Sequence, residues 1–502
     1  MIALRYRSTR GGGAGVSPAC AIAWGICGDG GLFVPETFPA VLAGELAAFG
    51  KLGYRGLARR ILEPYLSGFT AEEIADCVSQ AYADGKFSGP CPAPVVTSGD
   101  GVSFLELWHG PTCAFKDIAL QLLPRLLTRS LKKTGEGKDA LILTATSGDT
   151  GKAALEGFRD VAGTRILVFY PQNGVSPMQE RQMRTQEGGN VAVAAVRGNF
   201  DDAQAGVKRI FCDEAIRRAA RERGFVLSSA NSINWGRLLP QIVYYFSAWC
   251  SLAASGAIRQ GEAVDFCVPT GNFGDILAAY YARKMGLPVR RLICASNANN
   301  VLTEFLTTGV YNRRRPFHST ISPSMDILVS SNLERLLFDL TGGDCERVSA
   351  WMGQLARTGS YRVGDDVMEK IRGVFSAGFC SDAETKEEIG RLWREGHYLC
   401  DPHTAVASRV LRRFRNENGG GTREVVVSTA SPYKFAPDVL DAVAPGEKPA
   451  GAFGAVRRLS DLTGTPVPDS IAALEKKPVR FSRVCGQNEM GAAVLGMAAR
   501  KE

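Results

Sequence analysis

The segment Asp265-Phe-Cys-Val-Pro-Thr-Gly-Asn-Phe-Gly-Asp275 combines a short apolar strand, a turn with two glycines and the start of a helix. The strand covers Asp265–Val268, and the helical pattern runs from Asp275 to Lys284. A turn of this kind lets backbone N–H groups converge at the positive end of the helix dipole, where they bind a phosphate group. Glycine turns before helices are also common without a ligand, so the pattern indicates the fold first and a phosphate site second.

The same alternation of strand and helix continues along most of the chain. Five further apolar runs predict strands, each beside a helical pattern: Ala140–Thr146, Arg165–Tyr170, Val191–Val196, Arg290–Ala295 and Glu424–Ser428. Ser176-Pro177 predicts a helix start, and a long charged helix is predicted over Asp202–Arg223. Continuous apolar strands that alternate with helices are typical of parallel sheets, so the predicted fold class is α/β.

The two ends of the chain have a different pattern. Residues 1–94 contain Ala/Leu-rich helical stretches and end in the Pro-rich run Gly89-Pro-Cys-Pro-Ala-Pro94, which predicts a separate helical N-terminal domain. Residues 445–502 carry many Pro and Gly residues and are assigned only as a C-terminal extension. A chain of 502 residues is expected to form two or three domains.

Composition excludes several classes of function. The 59 basic and 51 acidic residues are spread along the chain without a nucleic-acid recognition motif, although a net charge of +8 favours small anionic substrates. The apolar stretch near Val243–Ala254 contains serines and tyrosines and predicts a buried helix rather than a membrane span. The 13 cysteines show no metal-ligand spacing, which indicates reduced thiols in a cytoplasmic protein without a metal site.

Lys116 lies in an unusual setting, the segment His109-Gly-Pro-Thr-Cys-Ala-Phe-Lys-Asp117. A lysine among Pro, Cys, Ala and Phe at the start of an apolar helix is expected to be buried, and burial lowers the pKa of an amine. A neutral, nucleophilic amine is what a carbonyl cofactor needs. For an arbitrary lysine, an exposed ammonium with a buried stem is the commoner arrangement.

The segment Thr146-Ser-Gly-Asp-Thr-Gly151 forms a second polar turn between a strand and a helix. Its hydroxyls and amides suit a carboxylate or a phosphate. A nucleotide-binding P-loop needs a first glycine and a final hydroxyl, and this segment has Thr146 and Ala153 at those positions. The segment therefore indicates a small-anion site and not a nucleotide triphosphatase.

Nine segments follow one another along roughly residues 5–440. They are Ser8–Gly11, Asp29–Pro35, His109–Asp117, Thr144–Gly151, Ser229–Asn234 with Arg237, Pro269–Asp275, Pro323–Asp326, Asp401–Ala405 and Thr429–Phe435. Taken together and in this order, they resemble threonine synthase of the pyridoxal-phosphate fold-type-II group, in the branch found in many bacteria and fungi.

The resemblance implies a cofactor, pyridoxal 5'-phosphate, and a role for each matching residue. Lys116 would bind the cofactor as a Schiff base and move protons, and Thr429 would hydrogen-bond the pyridine nitrogen. The phosphate cradle would consist of Gly271, Asn272, Phe273, Gly274 and Asp275. The substrate carboxylate would be held by Ser147, Gly148, Asp149 and Thr150, and Asn234 and Arg237 are candidate ligands of a substrate phosphate.

The implied reaction converts O-phospho-L-homoserine and water to L-threonine and phosphate by γ-elimination and β-addition. The implied architecture is fold type II: a large cofactor-binding α/β domain (95–135 and 231–444), a small α/β domain (136–230) and the helical N-terminal domain. The sequence leaves both a monomer and a homodimer open.

Two alternatives stay open. One is a phospho-lyase of the threonine-synthase-like type that makes 2-oxobutyrate, since such proteins share much of this motif set. The other, from a different class, is an inactive cofactor-binding regulatory protein. The presence of Lys116, the glycine turn and Thr429 favours an enzyme over the second alternative.

Overall fold

The computed structural model describes residues 3–499, so residues 1–2 and 500–502 of the predicted terminal segments lie outside the described residues. The strands are β1 (Tyr6–Ser8), β2 (Phe33–Pro35), β3 (Val95–Thr97), β4 (Ser103–Glu106), β5 (Asp139–Ala145), β6 (Thr164–Pro171), β7 (Val191–Val196), β8 (Phe225–Ser229), β9 (Val264–Pro269), β10 (Val289–Ser296), β11 (Val310–Asn312), β12 (Ser360–Arg362), β13 (Phe375–Phe379), β14 (Arg423–Ser428) and β15 (Val484–Cys485). The helices are α1 (Pro18–Trp24), α2 (Ala43–Phe49), α3 (Gly53–Leu62), α4 (Ala71–Ala81), α5 (Lys116–Lys133), α6 (Asp149–Phe158), α7 (Pro177–Arg184), α8 (Phe200–Cys212), α9 (Glu214–Glu222), α10 (Trp235–Ala254), α11 (Gly274–Lys284), α12 (Val301–Thr308), α13 (Leu333–Leu340), α14 (Cys345–Thr358), α15 (Asp365–Val374), α16 (Asp382–Gly396), α17 (Pro402–Asn418), α18 (Ala436–Val443), α19 (Gly451–Thr463), α20 (Asp469–Ala472) and α21 (Met490–Ala499).

The larger sheet has six strands in the order β13-β10-β9-β14-β4-β3. All neighbouring pairs are parallel except β3 and β4, which are antiparallel. Every residue of β9 is buried, because helices cover both faces of a parallel sheet and leave no strand face in water. The carboxyl ends of β4, β9, β10 and β14 therefore open at the same edge of this sheet.

The smaller sheet has five parallel strands in the order β15-β7-β6-β5-β8. Four of them come from residues 139–229, and the edge strand β15 comes from near the end of the chain. The helix α21 that follows β15 packs on α8, α9 and β6. The C-terminal segment, for which the sequence predicted no secondary structure, is thus folded and completes this sheet.

The predicted fold class is confirmed. The run Val191–Val196 coincides with β7, and the other five predicted strands match β5, β6, β9, β10 and β14 within about a residue at each end. The helix start at Ser176-Pro177 is confirmed, since the Ser176 hydroxyl accepts the Gln179 amide. The single charged helix over Asp202–Arg223 is wrong: α8 ends at Cys212, and Asp213 caps a new helix, α9, by accepting the Ile216 amide.

The N-terminal residues form the two-stranded sheet β1–β2 and the helices α1–α4. These helices also pack against the rest of the protein: α1 and α4 contact α5, and α3 contacts α10. The side chains of Ile22, Leu57 and Val78 belong to one continuous apolar core with those of α5 and α10. The division into residues 1–94, 95–135 with 231–444, 136–230 and 445–502 stays a prediction.

The predicted buried helix near Val243–Ala254 is the second half of α10, and most of its residues are buried. Within residues 3–499 we find no helix that is long and apolar enough to cross a membrane.

The fully buried guanidinium of Arg335 joins three distant parts of the chain. It donates hydrogen bonds to the carbonyls of Phe33 (3.0 Å), Ser232 (3.3 Å) and Ile233 (2.6 Å) and to the side-chain oxygen of Asn332. Burial lowers the pKa of Arg335 to about 10. Through these four hydrogen bonds the guanidinium joins β2 to the segments that begin α10 and α13. All four acceptors lie away from water and have the guanidinium as their donor.

We predict that Arg335→Met lowers the free energy of unfolding by about 3 kcal/mol, because it leaves buried carbonyl acceptors without a donor. Denaturant unfolding monitored by circular dichroism measures this loss. The matched control is Arg259→Met, whose side chain is 94% exposed and which should change stability by less than about 0.5 kcal/mol. Equal stability of the two variants would contradict the role given to Arg335.

Candidate active site

Four loops meet where strands of the two sheets end. Lys116 follows β4, Asp149 follows β5, Gly271 follows β9 and Thr429 follows β14. In open parallel sheets the crevice at the carboxyl ends of the strands is where ligands bind. The predicted site residues therefore share one region although up to 313 positions separate them in sequence, from Lys116 to Thr429.

Lys116 is the first residue of α5, and backbone bonds fix the segment before it. An isolated bridge pairs Ala114 with Ala430, and the Phe115 amide donates to the Thr429 carbonyl at 2.9 Å. The side chain of Asp117 closes the turn by accepting bonds from the amide and the hydroxyl of Thr112. These contacts place the Lys116 backbone directly beside Thr429.

The carboxylate of Asp149 is the centre of the site. Its Oδ1 accepts bonds from Lys434 Nζ (2.5 Å) and Gln179 Nε2 (2.9 Å). Its Oδ2 accepts a bond from Ser324 Oγ (3.2 Å) and lies 3.7 Å from Lys116 Nζ. The carboxylate is buried, and the two lysines beside it hold its pKa well below the usual range.

Lys116 is itself buried, with a side-chain exposure of 10%. Burial lowers the pKa of Lys116 to about 8, although the negative charge of Asp149 acts in the opposite direction. An amine with this pKa is partly neutral near neutral pH and can act as a nucleophile or a base. The prediction of a buried lysine is thus matched by the position of its side chain.

The loop Gly271–Asp275 has the geometry of an anion cradle at the N-terminus of α11. Phe273 has a positive φ of 63°, and a Cβ atom at Gly271 would lie 2.8 Å from the Ser324 carbonyl oxygen. The carbonyls of Gly271 and Asn272 are held by Ser330 and Asn332. The amides of Asn272, Phe273 and Gly274 form no hydrogen bond with the described part of the chain.

Asp275 differs from the other members of this loop because its carboxyl group points into the protein. Its Oδ1 accepts bonds from the hydroxyls of Tyr244 and Tyr245, and its Oδ2 is buried without a partner among the described residues. Burial raises the pKa of Asp275 from 3.8 to about 6. Two tyrosine hydroxyls thus hold the carboxyl group of Asp275 inside the protein.

Thr429 is buried, and its hydroxyl forms no hydrogen bond within residues 3–499. Its carbonyl is used by the Phe115 amide. The neighbouring hydroxyl of Ser428 is instead fully engaged, with Trp108, Tyr398 and Thr404. Of the two hydroxyls at the end of β14, that of Thr429 is the one free to meet a ligand.

The loop Ser147–Thr150 leads into α6, and hydrogen bonds to the side chain of Thr146 fix its backbone. The hydroxyl of Thr146 accepts the amides of Gly148 (2.9 Å) and Gly151 (2.8 Å). Gly148 has a φ of 134°, and a Cβ atom there would lie 2.4 Å from the Gln179 side chain. The side chains of Ser147 and Thr150 are half-buried, whereas the Asp149 carboxylate is occupied by the contacts described above.

Asn234 and Arg237 occupy the start of α10. The oxygen of the Asn234 side chain accepts the Gly236 amide (2.8 Å), and its nitrogen donates to the Ile22 carbonyl (3.0 Å). Because backbone partners occupy both atoms, the arrangement favours a structural role for Asn234 over the phosphate-binding role predicted for it. Arg237 is buried and donates to the Ala230 carbonyl (2.6 Å), while its Nε lacks a partner among the described residues.

Burial lowers the pKa of Arg237 to about 10. No carboxylate pairs with its guanidinium in the described part of the chain. A buried cation without a counterion is costly unless an anion joins it. Arg237 therefore remains a candidate ligand for an anionic group.

Sequence reasoning missed three members of the site, namely Lys434, Gln179 and Ser324. Lys434 lies in the segment Thr429–Phe435 among Pro, Tyr and Phe, the same kind of apolar setting that drew attention to Lys116. The side chain of Lys434 has an exposure of 0%. No sequence signal identifies Gln179, because its contact with Asp149 depends on how α7 packs on α6.

A cavity of about 1280 Å³ opens beside this site. Its lining includes Asn272, Ser232 and Ser330, together with the exposed cations Lys208 and Arg218. Lys116, Asp149 and Thr429 do not line it, so the cavity leads to the 271–275 loop rather than containing the buried lysines. Cationic side chains along its wall favour the approach of small anions.

These features fit a cofactor that carries an aldehyde and a phosphate. A buried amine with a lowered pKa can bind the aldehyde, free amides at a helix start can bind the phosphate, and a free hydroxyl can meet a ring nitrogen. Three family models match the chain: "Threonine synthase N terminus" over residues 5–82, "Pyridoxal-phosphate dependent enzyme" over 91–365, and "Threonine synthase, C-terminal" over 404–493.

Individual relatives agree with these family models. The threonine synthase of Pseudomonas aeruginosa is 41% identical over 89% of this chain and 92% of its own length. The structure of a pyridoxal-phosphate-bound threonine synthase from Brucella melitensis is 36% identical, covers 99% of this chain and 100% of its own, and superposes with a TM-score of 0.86. The human threonine synthase-like 1 is 40% identical, and this chain spans 57% of its length.

The fold and the site therefore define a pyridoxal-phosphate-dependent lyase of fold type II. Within this class the chain belongs to the threonine synthase family. The C-terminal family model also corrects the expectation that the resemblance ends near residue 440, since it extends to residue 493.

We predict that Asp275→Asn changes the pH dependence of stability. Folding raises the pKa of this carboxyl group from 3.8 to about 6, so the folded state disfavours its charged form. The free energy of unfolding should therefore be about 3 kcal/mol lower above pH 6 than below pH 4. Because Asn carries no charge, the variant should gain up to about 3 kcal/mol relative to the parent protein between pH 4 and pH 7. Unfolding curves at several pH values measure this difference.

The control for this measurement is Asp84→Asn, since the Asp84 side chain is 91% exposed. Its stability difference from the parent should stay constant over the same pH range. A constant difference for Asp275→Asn as well would show that Asp275 is not the buried carboxyl described above.

Proposed function

We propose that this chain converts O-phospho-L-homoserine and water to L-threonine and phosphate. The observation that supports this proposal is a site with a buried amine, that of Lys116, and two separate groups that suit anions. One is the set of amides at residues 272–274, which form no hydrogen bond with the described residues, and the other is the guanidinium of Arg237, which has no carboxylate partner among them. A reaction in which both cofactor and substrate carry a phosphate needs two such groups.

The proposed cofactor site uses the first of these groups. Lys116 would hold the pyridoxal aldehyde carbon, the amides of Asn272, Phe273 and Gly274 would hold the phosphate, and Thr429 would meet the pyridine nitrogen. When bound, the cofactor withdraws electrons from the substrate and makes the protons at its α- and β-carbons removable. A hydroxyl at position 429 leaves the pyridine nitrogen largely unprotonated and so moderates that withdrawal.

Lys116 would move protons once substrate has displaced it from the cofactor. Its lowered pKa, about 8, leaves a fraction of the amine neutral at physiological pH, ready to accept the α-proton. The same amine, once protonated, can return a proton to carbon in a later step. Asp149, fixed by Lys434 and Gln179, lies close enough to orient the Lys116 ammonium between these transfers.

The substrate would be held by the second group and by the start of α6. Arg237 is a proposed ligand of the leaving phosphate, because anion binding would supply its missing counterion. Ser147 and Thr150, with the amides that begin α6, are proposed ligands of the α-carboxylate. In this arrangement the Asp149 carboxylate interacts with the two lysines and does not bind the substrate, because its charge would repel the substrate carboxylate.

We predict that the purified protein forms threonine and phosphate in equal amounts from O-phospho-L-homoserine. Amino-acid analysis and a phosphate assay measure the two products, and a keto-acid assay measures 2-oxobutyrate. Arg237→Gln should lower kcat/KM by at least about 100-fold, since a charged hydrogen bond to a developing dianion contributes about 3 kcal/mol. Predominant 2-oxobutyrate would replace this proposal with that of a phospho-lyase.

We also predict that Lys116→Ala abolishes both turnover and the visible absorbance band of the lysine-bound cofactor. Removal of the amine leaves the aldehyde without a covalent partner, so the spectrum of the purified variant should lack this band. The control is Lys448→Ala, an exposed lysine, which should keep both properties. Turnover at the parent rate by Lys116→Ala would assign the cofactor to another amine.

A further inference from the structure

Two buried lysines share one carboxylate in the candidate active site. Lys434 Nζ lies 2.5 Å from Asp149 Oδ1, and Lys116 Nζ lies 3.7 Å from Asp149 Oδ2. The proposed function assigns proton transfer to Lys116 and gives Lys434 no part in binding or moving a proton. A second ammonium with a side-chain exposure of 0% is costly to bury, so its presence calls for a physical explanation.

The carboxylate is shared unequally between the two lysines. Lys434 is also held by the Thr112 carbonyl at 3.1 Å, which fixes its ammonium against Asp149. Gln179 and Ser324 occupy further acceptor positions of the same carboxylate. Lys116 is left at a distance beyond a hydrogen bond, so Asp149 attracts its ammonium without holding it.

Other charges near Lys116 come from three helices. Asp149 belongs to α6, Arg237 to α10 and Asp275 to α11, while His403 at the start of α17 acts on Asp149. Lys434 and Arg237 disfavour the protonated form of Lys116, and Asp149 and Asp275 favour it. Burial has the largest effect, the two cations add to it, and the pKa of Lys116 falls to about 8.

We propose that Lys434 is a positioning residue that occupies the Asp149 carboxylate and thereby keeps the Lys116 amine free. This proposal rests on the role given to Lys116 in the proposed function and adds the residue that sustains it. Lys434 acts through Asp149 and does not need to touch the substrate. The 2.5 Å contact is the feature of the structure that carries the proposal.

The consequence of losing Lys434 follows from the charges. Without its ammonium, Asp149 would have Lys116 as its main cationic partner, and the repulsion between the two lysines would disappear. Both changes favour the protonated form of Lys116. A protonated amine can neither bond to an aldehyde carbon nor accept a proton from substrate.

The test is the pH dependence of cofactor uptake by the full chain after its cofactor has been removed. Pyridoxal phosphate is added, and the rate at which the visible band appears is measured between pH 6 and pH 10. Only the neutral amine reacts, so the midpoint of the profile reports the pKa of Lys116, near 8 in the parent protein. The measurement uses no amino-acid substrate and is therefore independent of whether O-phospho-L-homoserine is the substrate.

We expect Lys434→Met to move this midpoint upward by at least about one pH unit, which is a tenfold slower uptake at pH 7. The double variant Lys434→Met/Asp149→Asn removes the released carboxylate as well and should bring the midpoint back to the parent value or below it. Lys434→Arg keeps the charge and should stay closer to the parent than Lys434→Met. The acid side of the pH profile of kcat should shift in the same order among these variants, because that profile reports the pKa values of groups in the enzyme–substrate complex.

Lys152→Met is the matched control. Lys152 is buried and pairs with Glu156 and Gln186 rather than with Asp149. Its loss should lower stability without moving the midpoint. An unchanged midpoint in Lys434→Met, or a raised midpoint that the double variant does not restore, would overturn the proposal. A large rise in KM with the parent pH profile would also overturn it and make Lys434 a direct substrate ligand.

Discussion

The carboxylate of Asp149 connects the two halves of the site. It belongs to the smaller sheet, through the loop that follows β5, yet three of its partners belong to segments that follow other strands: Lys116 after β4, Lys434 after β14 and Ser324 after β11. Each contact is made away from water, where charges interact strongly and an unpaired one is costly. One ion-pair network therefore fixes how the segments that follow β4 and β14 meet α6.

Parallel strands explain why so few segments build this site. Within each sheet the parallel strands have their carboxyl ends at one edge, and the loops after β4, β5, β9 and β14 each bring side chains or amides to the site. The amides at the start of α11 and the start of α6 point there too. The site therefore combines flexible side chains with fixed backbone dipoles, and the backbone part needs no rearrangement when an anion arrives.

The sequence predicts the elements that depend on neighbouring residues, but it does not predict contacts between segments that are distant along the chain. The strand Val191–Val196 and the cap at Ser176 follow from side-chain pattern and capping chemistry within a few residues, and the structure has both. The break at Asp213 also has a local cause, a helix-capping side chain, yet charged residues on both sides concealed it. The pairing of Lys434 with Asp149 joins positions 285 apart, and no periodicity of one chain records such a contact.

The position of β15 determines when the smaller sheet can be completed during folding. It is the edge strand of the smaller sheet, next to β7, although 287 positions lie between Val196 and Val484. During synthesis, β7 stays uncovered on that side until the segment around Val484 has been made, and an exposed strand edge invites pairing with other chains. Pairing between such distant segments is slow, so this edge of the sheet is the part most open to aggregation before β15 joins it.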